Sequence, residues 1–247
     1  MSSFSQGASR NPVREKIILA LDVPTKEQAV EIIRSVKDFV AAFKIGLQLF
    51  TAAGSEFVRE LTSSGLKIFL DLKFHDIPNT VAKAGVEVAK LGVWMFNVHA
   101  LGGAEMMRRT VEEVTNFCES KNLEKPKILG VTVLTSADDE TLKQIGIKHS
   151  TEDAVRNLAV LSAQCGLDGV VASPHEIKSI RDSVERNDFL IVTPGIRPSF
   201  ATAEDQKRVM TPKEAISLGV DYIVIGRPVL QSLNPKAALE KILVEIQ

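Results

Sequence analysis

The chain has only two cysteines in 247 residues, Cys118 and Cys165, far apart and in no metal-ligand or redox spacing. That excludes a disulfide scaffold and a cysteine-based zinc site, and both read as small apolar residues buried in a reducing compartment. No apolar run approaches the roughly 20 residues needed to cross a bilayer. Neither sign of charge is in excess: 30 Lys+Arg against 31 Asp+Glu leave a net charge of -1. There is thus no electrostatic case for nucleic acid or an anionic membrane as the main partner. Any anion must be gripped locally. No pair among His75, His99, His149 and His175 has metal-ligand spacing. G-x-S-x-G, P-loop and G-x-G-x-x-G motifs are missing too, as is a Cys–His nucleophile. Residues 1–14 are polar and carry no hydrophobic segment. They read as a flexible tail rather than a secretory signal, so the expected location is cytoplasmic.

What is present is one repeated pattern. A short apolar, β-branched run is followed by a turn and an amphipathic stretch. The apolar runs are Ile17–Leu21, Val40–Ile45, Lys67–Leu72 and Met95–His99, then Ile128–Leu134, Gly169–Ala172, Phe189–Val192 and Tyr222–Ile225. They are continuous rather than alternating, as in strands buried on both faces. Helical periodicity lies between them at Lys26–Lys37, Asn79–Leu91 and Ala104–Cys118, and again at Asp153–Cys165, Pro174–Val184 and Pro235–Ile246. From Asp22 to Gly226 the strand ends recur about every 29 residues, close to one β-α unit. Eight such units predict an α/β, single-domain (β/α)8 TIM barrel with a closed parallel sheet, spanning residues 15–247. The alternative is a doubly wound open sheet.

In such a barrel, chemistry sits at the C-terminal strand ends. Strand 1 ends in Ala20-Leu21-Asp22, strand 2 in Phe43-Lys44-Ile45-Gly46, and strand 3 in Asp71-Leu72-Lys73-Phe74-His75-Asp76. Asp and Lys are rarely buried unpaired. Asp71 and Lys73 are two apart on a strand and point to one face. Lys44 comes from the neighbouring strand, and the expected order alternates in sign: Lys44, Asp71, Lys73, Asp76. An opposite pair at 4 Å gains about 4 kcal/mol at an effective dielectric near 20, before desolvation is subtracted. The same residues could form an ion-pair plug with no chemistry, and Asp76 could simply cap the helix that follows.

A second cluster follows strands 7 and 8. Thr193-Pro194-Gly195-Ile196-Arg197 and Ile225-Gly226-Arg227 each pair a glycine with an arginine, in the loops where these barrels often hold phosphate. Arg227 has the donor geometry for a phosphate. Residues 196–211 show little periodicity and read either as a lid, with Gln206 a phosphate donor, or as an idle surface loop. Ser173 and Thr135 end strands 6 and 5, and from the sequence alone each reads as a turn residue sooner than as a ligand contact.

The run Asp71-Leu72-Lys73-Phe74-His75-Asp76-Ile77-Pro78-Asn79-Thr80 resembles the D-x-K-x-x-D-I-P-x-T signature of the orotidine 5'-phosphate decarboxylase family. The resemblance extends in order through Ala20–Asp22, Phe43–Gly46, Asn97–Ala100, Leu134–Ser136, Val192–Arg197 and Gly226–Pro228. It implies a metal-free and cofactor-free conversion of orotidine 5'-monophosphate to uridine 5'-monophosphate and CO2, in pyrimidine biosynthesis. By resemblance, Lys73 protonates C6, Asp71 lies by the substrate carboxylate, and Lys44 and Asp22 hold the ribose hydroxyls. Asp76 and Thr80 reach into the partner's site of a homodimer. Thr135 contacts the pyrimidine, while Gln206, Gly226 and Arg227 grip the phosphate and Arg197 orders the lid. Magnesium-dependent relatives, such as 3-keto-L-gulonate 6-phosphate decarboxylase and hexulose phosphate synthase, carry an acidic residue where this chain has Lys44. A silent phosphate-ligand binding protein on the same barrel is the reading from another class.

Overall fold

Strands that bury both faces need cover on both, and a closed barrel inside a ring of helices supplies it. A computed structural model describes residues 14–201 and 210–246. The strands are β1 (Ile17–Ala20), β2 (Ala42–Gly46), β3 (Ile68–Phe74) and β4 (Met95–His99), followed by β5 (Lys127–Val131), β6 (Gly169–Val171), β7 (Leu190–Thr193) and β8 (Tyr222–Ile225). Neighbours pair in parallel in sequence order, and β1 pairs with both β2 and β8. That last pairing removes the sheet edges and with them the open doubly wound alternative.

The strand residues divide by parity. Ile18, Ala20, Ala42, Phe69, Met95, Leu129, Val192 and Val224 fill the barrel interior. Their neighbours, among them Ile17, Leu19, Phe43, Ile45, Phe96 and Ile191, form the layer beneath the helices. Continuing the inward parity by two residues reaches Asp22, Lys44, Asp71 and Asn97, so the interior turns from apolar to polar at its C-terminal mouth. At the opposite mouth Trp94 and Tyr222 meet edge-to-face at 5.1 Å. Asp168 and Asp221, just ahead of β6 and β8, each accept a backbone N–H, from Ile128 at 2.8 Å and Ile191 at 2.7 Å. These carboxylates fasten strand to strand.

The helices follow their local signals. Lys26–Val36 is capped by Thr25, whose side chain accepts from the Gln28 N–H, and it buries Ala29, Ile33 and Val36. Pro212–Ser217 opens with a capping box between Thr211 and Glu214. The periodicity reading misses the long helix Leu47–Ser63, between β2 and β3, and the short helices Asp139–Gln144, Pro212–Ser217 and Arg227–Leu230. In Leu47–Ser63, Gly54 interrupts the backbone at φ 72°, ψ -179°, although Leu49, Ala53, Phe57 and Leu61 keep one helical period across it. Strand ends shift as well. β5 leaves the ladder at Val131 instead of Leu134, and β3 runs on to Phe74. Both cysteines are buried, and burial pushes each thiol's pKa up, consistent with a packing role.

Gly169 opens β6 opposite Leu190 of β7, and a Cβ there would overlap the Leu190 carbonyl. Gly169→Ala is therefore expected to cost about 2–3 kcal/mol, read as a lower denaturation midpoint in urea at unchanged slope. An unchanged midpoint would mean that β6 and β7 are not packed as described.

Candidate active site

At the C-terminal mouth three strands bring their charges together. The Lys44 ammonium lies 3.1 Å from Asp22 Oδ1 and 3.3 Å from Asp71 Oδ2. The Lys73 ammonium lies 2.6 Å from Asp71 Oδ1. Asp71 thus bridges two lysines and Lys44 bridges two aspartates. The side chains of Lys44 and Asp71 are only 11% and 13% exposed. Gly46 makes room for this packing: a Cβ there would sit 2.9 Å from the Lys44 nitrogen.

Burial by itself would raise the Asp71 pKa, but the Lys44 and Lys73 charges and the hydrogen bonds from Lys73 and Asn97 outweigh it and hold the carboxyl below its ordinary value. Burial likewise works against the Lys44 ammonium, yet Asp71 and Asp22 overcome it and push its pKa up. Both groups are therefore held ionised, as an electrostatic site requires.

The way Lys73 reaches the mouth differs from simple strand alternation. Its φ is 53°, left-handed for a non-glycine residue, a conformation that costs about 1–2 kcal/mol. The β3–β4 register breaks here: Leu70 pairs with Phe96, and the next pair is Phe74 with Val98. Asp71, Leu72 and Lys73 thus occupy a bulge opposite Asn97. The Asn97 side chain fills it, accepting the Lys73 N–H at 2.8 Å and donating to Asp71 Oδ1 at 2.7 Å. Asn97 belongs to the matching run Asn97–Ala100 but had no role assigned from the sequence. Its signal was available, as a polar residue in the inward register of Met95.

A cavity of about 300 Å³ opens over this network. Asp22, Lys44, Asp71 and Lys73 line one side, and Arg197, Gly226 and Arg227 line it as well, together with Thr135. A Cβ on Gly226 would come within 3.3 Å of the Ala20 Cβ, a tight contact at this wall. The Arg197 N–H bonds the Met210 carbonyl at 3.0 Å, which ties together the two ends of the 196–211 loop. Gln206 lies outside the described residues, as do residues 1–13 of the N-terminal tail.

Asp76 does not join the alternating network of its own chain. It is exposed, and its Oδ1 accepts the Ile77 N–H at 2.6 Å next to the helix Pro78–Lys90. Beyond Phe74 the chain turns away from the barrel axis, so strand parity no longer governs it. Thr80 is exposed on the first turn of that helix. His99 stacks on His75 at 5.4 Å and accepts the Leu101 N–H. Burial, then His75 and Lys73, push its pKa down. Ser173 caps a 3-10 turn through the His175 N–H, the turn role it shared with Thr135 as an alternative.

The sign of the pH dependence follows from the two shifts. Asp71 contributes stability above its ordinary value of 3.8 and loses it as pH falls through its lower folded value. Lys44 contributes below 10.5 and loses its share only as pH rises through its higher folded value. Asp71→Asn is expected to cost about 3 kcal/mol at neutral pH, because it leaves two ammonium groups short of one carboxylate. The deficit against the wild type should shrink below pH 3.8. Denaturant unfolding across pH reads it, and a deficit independent of pH would remove the ionised carboxylate from the account.

The comparisons with known proteins agree with this geometry. The family model described as "Orotidine 5'-phosphate decarboxylase / HUMPS family" matches residues 15–242. Orotidine 5'-phosphate decarboxylases of Geobacter metallireducens and Geobacter sulfurreducens are each 53% identical over 238 residues, covering 96% of this chain and 98% of each relative. The crystal structure of orotidine 5'-phosphate decarboxylase from Lactobacillus acidophilus superposes with a TM-score of 0.81 at 38% identity, covering 94% of this chain and 98% of that one. An uncharacterized conserved protein from Geobacillus kaustophilus superposes at 0.80 with 33% identity, covering 94% of this chain and all of that one. By the extent of these matches and by its charged barrel mouth, the chain belongs to the orotidine 5'-phosphate decarboxylase / HUMPS family.

Proposed function

We propose that the protein converts orotidine 5'-monophosphate to uridine 5'-monophosphate and CO2, without a metal or organic cofactor, and that Lys73 supplies the proton. The observation that carries this reading is the Lys73 ammonium, paired to Asp71 at 2.6 Å in the wall of a cavity that Arg197, Gly226 and Arg227 also line. A proton donor and a phosphate grip then face one ligand.

In this reaction the C6–carboxylate bond breaks and its electron pair stays at C6. A fixed ammonium there stabilises the concentrated charge of the transition state more than the spread charge of the starting carboxylate. The Lys73 proton then moves to C6, and solvent reprotonates the amine after product leaves. Asp71 holds the ammonium in place and sets a negative charge beside the substrate carboxylate, a repulsion relieved as CO2 departs. Lys44 and Asp22 hold the ribose hydroxyls and Thr135 the pyrimidine. Gly226, Arg227 and Gln206 take the phosphate, with Arg197 at the base of the loop that closes over it. Binding energy from the phosphate is thereby available to order the mouth.

Lys44 also speaks against the magnesium-dependent relatives. Its ammonium stands between Asp22 and Asp71, where a divalent cation would need those carboxylates. A silent binding protein has no use for a proton donor held by a buried carboxylate.

The functional unit in this reading is a homodimer in the cytoplasm, with Asp76 and Thr80 completing the partner's site. Its support is the exposure of Asp76 and Thr80 at the barrel mouth, together with exposed apolar neighbours: Ile77 at 67% and Leu47 at 61%.

Purified protein in EDTA should bleach the orotate absorbance of orotidine 5'-monophosphate and yield uridine 5'-monophosphate. Loss of turnover on chelation would sink the metal-free assignment. Lys73→Ala should keep affinity for the product and lose at least about 10³-fold in kcat; normal turnover would remove Lys73 as the acid.

A mixing experiment tests the shared site. Lys73→Ala and Asp76→Ala are each expected to be nearly inactive alone. Mixed in equal amounts and allowed to exchange, they should recover roughly one quarter of wild-type activity, since each mixed dimer carries one intact site. No recovery in demonstrably mixed dimers would mean that Asp76 serves its own chain.

A further inference from the structure

We infer that Asn97 is a positioning residue for the decarboxylation, locking the left-handed bulge of β3 so that Lys73 and Asp71 meet the substrate as one rigid unit. The inference rests on the decarboxylase reading above and adds a residue to it.

Asn97 is fully buried in β4, and its inward neighbour two residues back is Met95. A buried primary amide is costly unless both of its ends are bonded. Here both are, and the partners fix its orientation. The carbonyl oxygen must face the Lys73 N–H, and the amino group must face the Asp71 carboxylate. A flipped amide would set donor against donor and acceptor against acceptor.

These bonds close a ring. Asn97 holds the Lys73 backbone, Asp71 holds the Lys73 side chain, and Asn97 holds Asp71. The same Asp71 oxygen takes both the Lys73 ammonium, at 2.6 Å, and the Asn97 amide, at 2.7 Å. Both ends of Lys73 are therefore tied to one buried group. The φ of 53° at Lys73 needs such a tie, since nothing intrinsic to lysine favours it. Asn97 does not line the cavity. It acts through the two residues that do.

The experiment uses the full chain with orotidine 5'-monophosphate. Asn97→Ala removes both bonds. Asn97→Asp is isosteric: it keeps an acceptor for the Lys73 N–H but sets a second carboxylate against Asp71. Each variant should lose about 10²-fold in kcat, the scale of a misplaced reacting group. KM and affinity for uridine 5'-monophosphate should stay within about threefold, because the phosphate grip is untouched.

The pH profile supplies a readout that a merely structural residue would not move. Lys44 from β2 and Lys73 from its own strand face Asp71, with Asp22 beyond Lys44 and His99 further along β4. Removing the Asn97 donor takes away one of the bonds that hold the Asp71 carboxyl low. The acid limb of kcat/KM in Asn97→Ala should therefore move to higher pH than in the wild type.

Turnover within threefold of wild type in either folded variant would overturn the inference. So would a matching collapse of KM and product affinity, or failure of both variants to fold, since Asn97 would then hold the barrel and not the acid. If wild-type protein itself leaves orotidine 5'-monophosphate unchanged, the decarboxylase reading fails, and that result is separate from the Asn97 comparison.

Discussion

One buried carboxylate organises this protein. Asp71 stands between two ammonium groups from different strands and accepts an amide from a third. It is the group that lets Lys44 and Lys73 share one barrel mouth without mutual repulsion. Such an arrangement is a poor way to build stability. Charges drawn out of water must regain what desolvation costs, and apolar residues of similar volume would often do as well or better. The opposite mouth shows the cheaper use of a carboxylate: Asp168 and Asp221 each take a backbone N–H and fasten one strand to another. Asp71 takes side chains from Lys44, Lys73 and Asn97, so what it holds is the placement of charge. Charges placed and paired in this way mark a candidate functional site.

The placement depends on backbone as much as on charge. A regular β3 would deliver Asp71 and Lys73 as two parallel side chains on one face, and their spacing would follow from the pleat. The bulge replaces that spacing with a left-handed residue, and it brings the Lys73 ammonium back onto the Asp71 oxygen at 2.6 Å. The local strain is offset by the bonds that Asn97 makes across to β4. Inside the barrel, Phe69 and Val224 wall the cavity from below the charges and lower the local dielectric. In that setting a fixed ammonium acts more strongly on a developing negative charge than a solvated one, and it needs no reorganisation to do so.

How far the sequence revealed this depends on which interactions are local. The barrel was legible because continuous apolar runs at a regular interval leave few other solutions, and β1 does close on β8. Asp22, Lys44, Asp71 and Lys73 were legible because each interrupts an apolar strand near its C-terminal end. Gly226–Arg227 was legible through its position after the last strand. The bulge was not, because it is a mismatch between two strands and neither strand shows it alone. Asn97 was visible as a polar residue in the inward register, but its role was not, because that depends on the register with β3. Asp76 lies past Phe74, where the strand ends and parity gives no position, so its place in the alternating order rested on sequence proximity alone.

The family to which the chain belongs is described by two names, and the choice between metal-dependent and metal-free chemistry turns on what lies between Asp22 and Asp71. Two carboxylates facing one another across a barrel mouth need a cation. A divalent ion would satisfy them and leave open coordination positions for the oxygens of a substrate. Lys44 satisfies them with a cation that is covalently tethered, carries one charge, and coordinates nothing. Of its three donors, two are engaged by Asp22 and Asp71. An ammonium held this way offers fixed positive charge and no coordination positions. It can present fixed positive charge to a carbanion, and a second lysine beside it can then give up a proton. On the metal-free reading, a cation tethered between Asp22 and Asp71 serves a carbanion, where an exchangeable divalent ion would serve a coordinated oxygen.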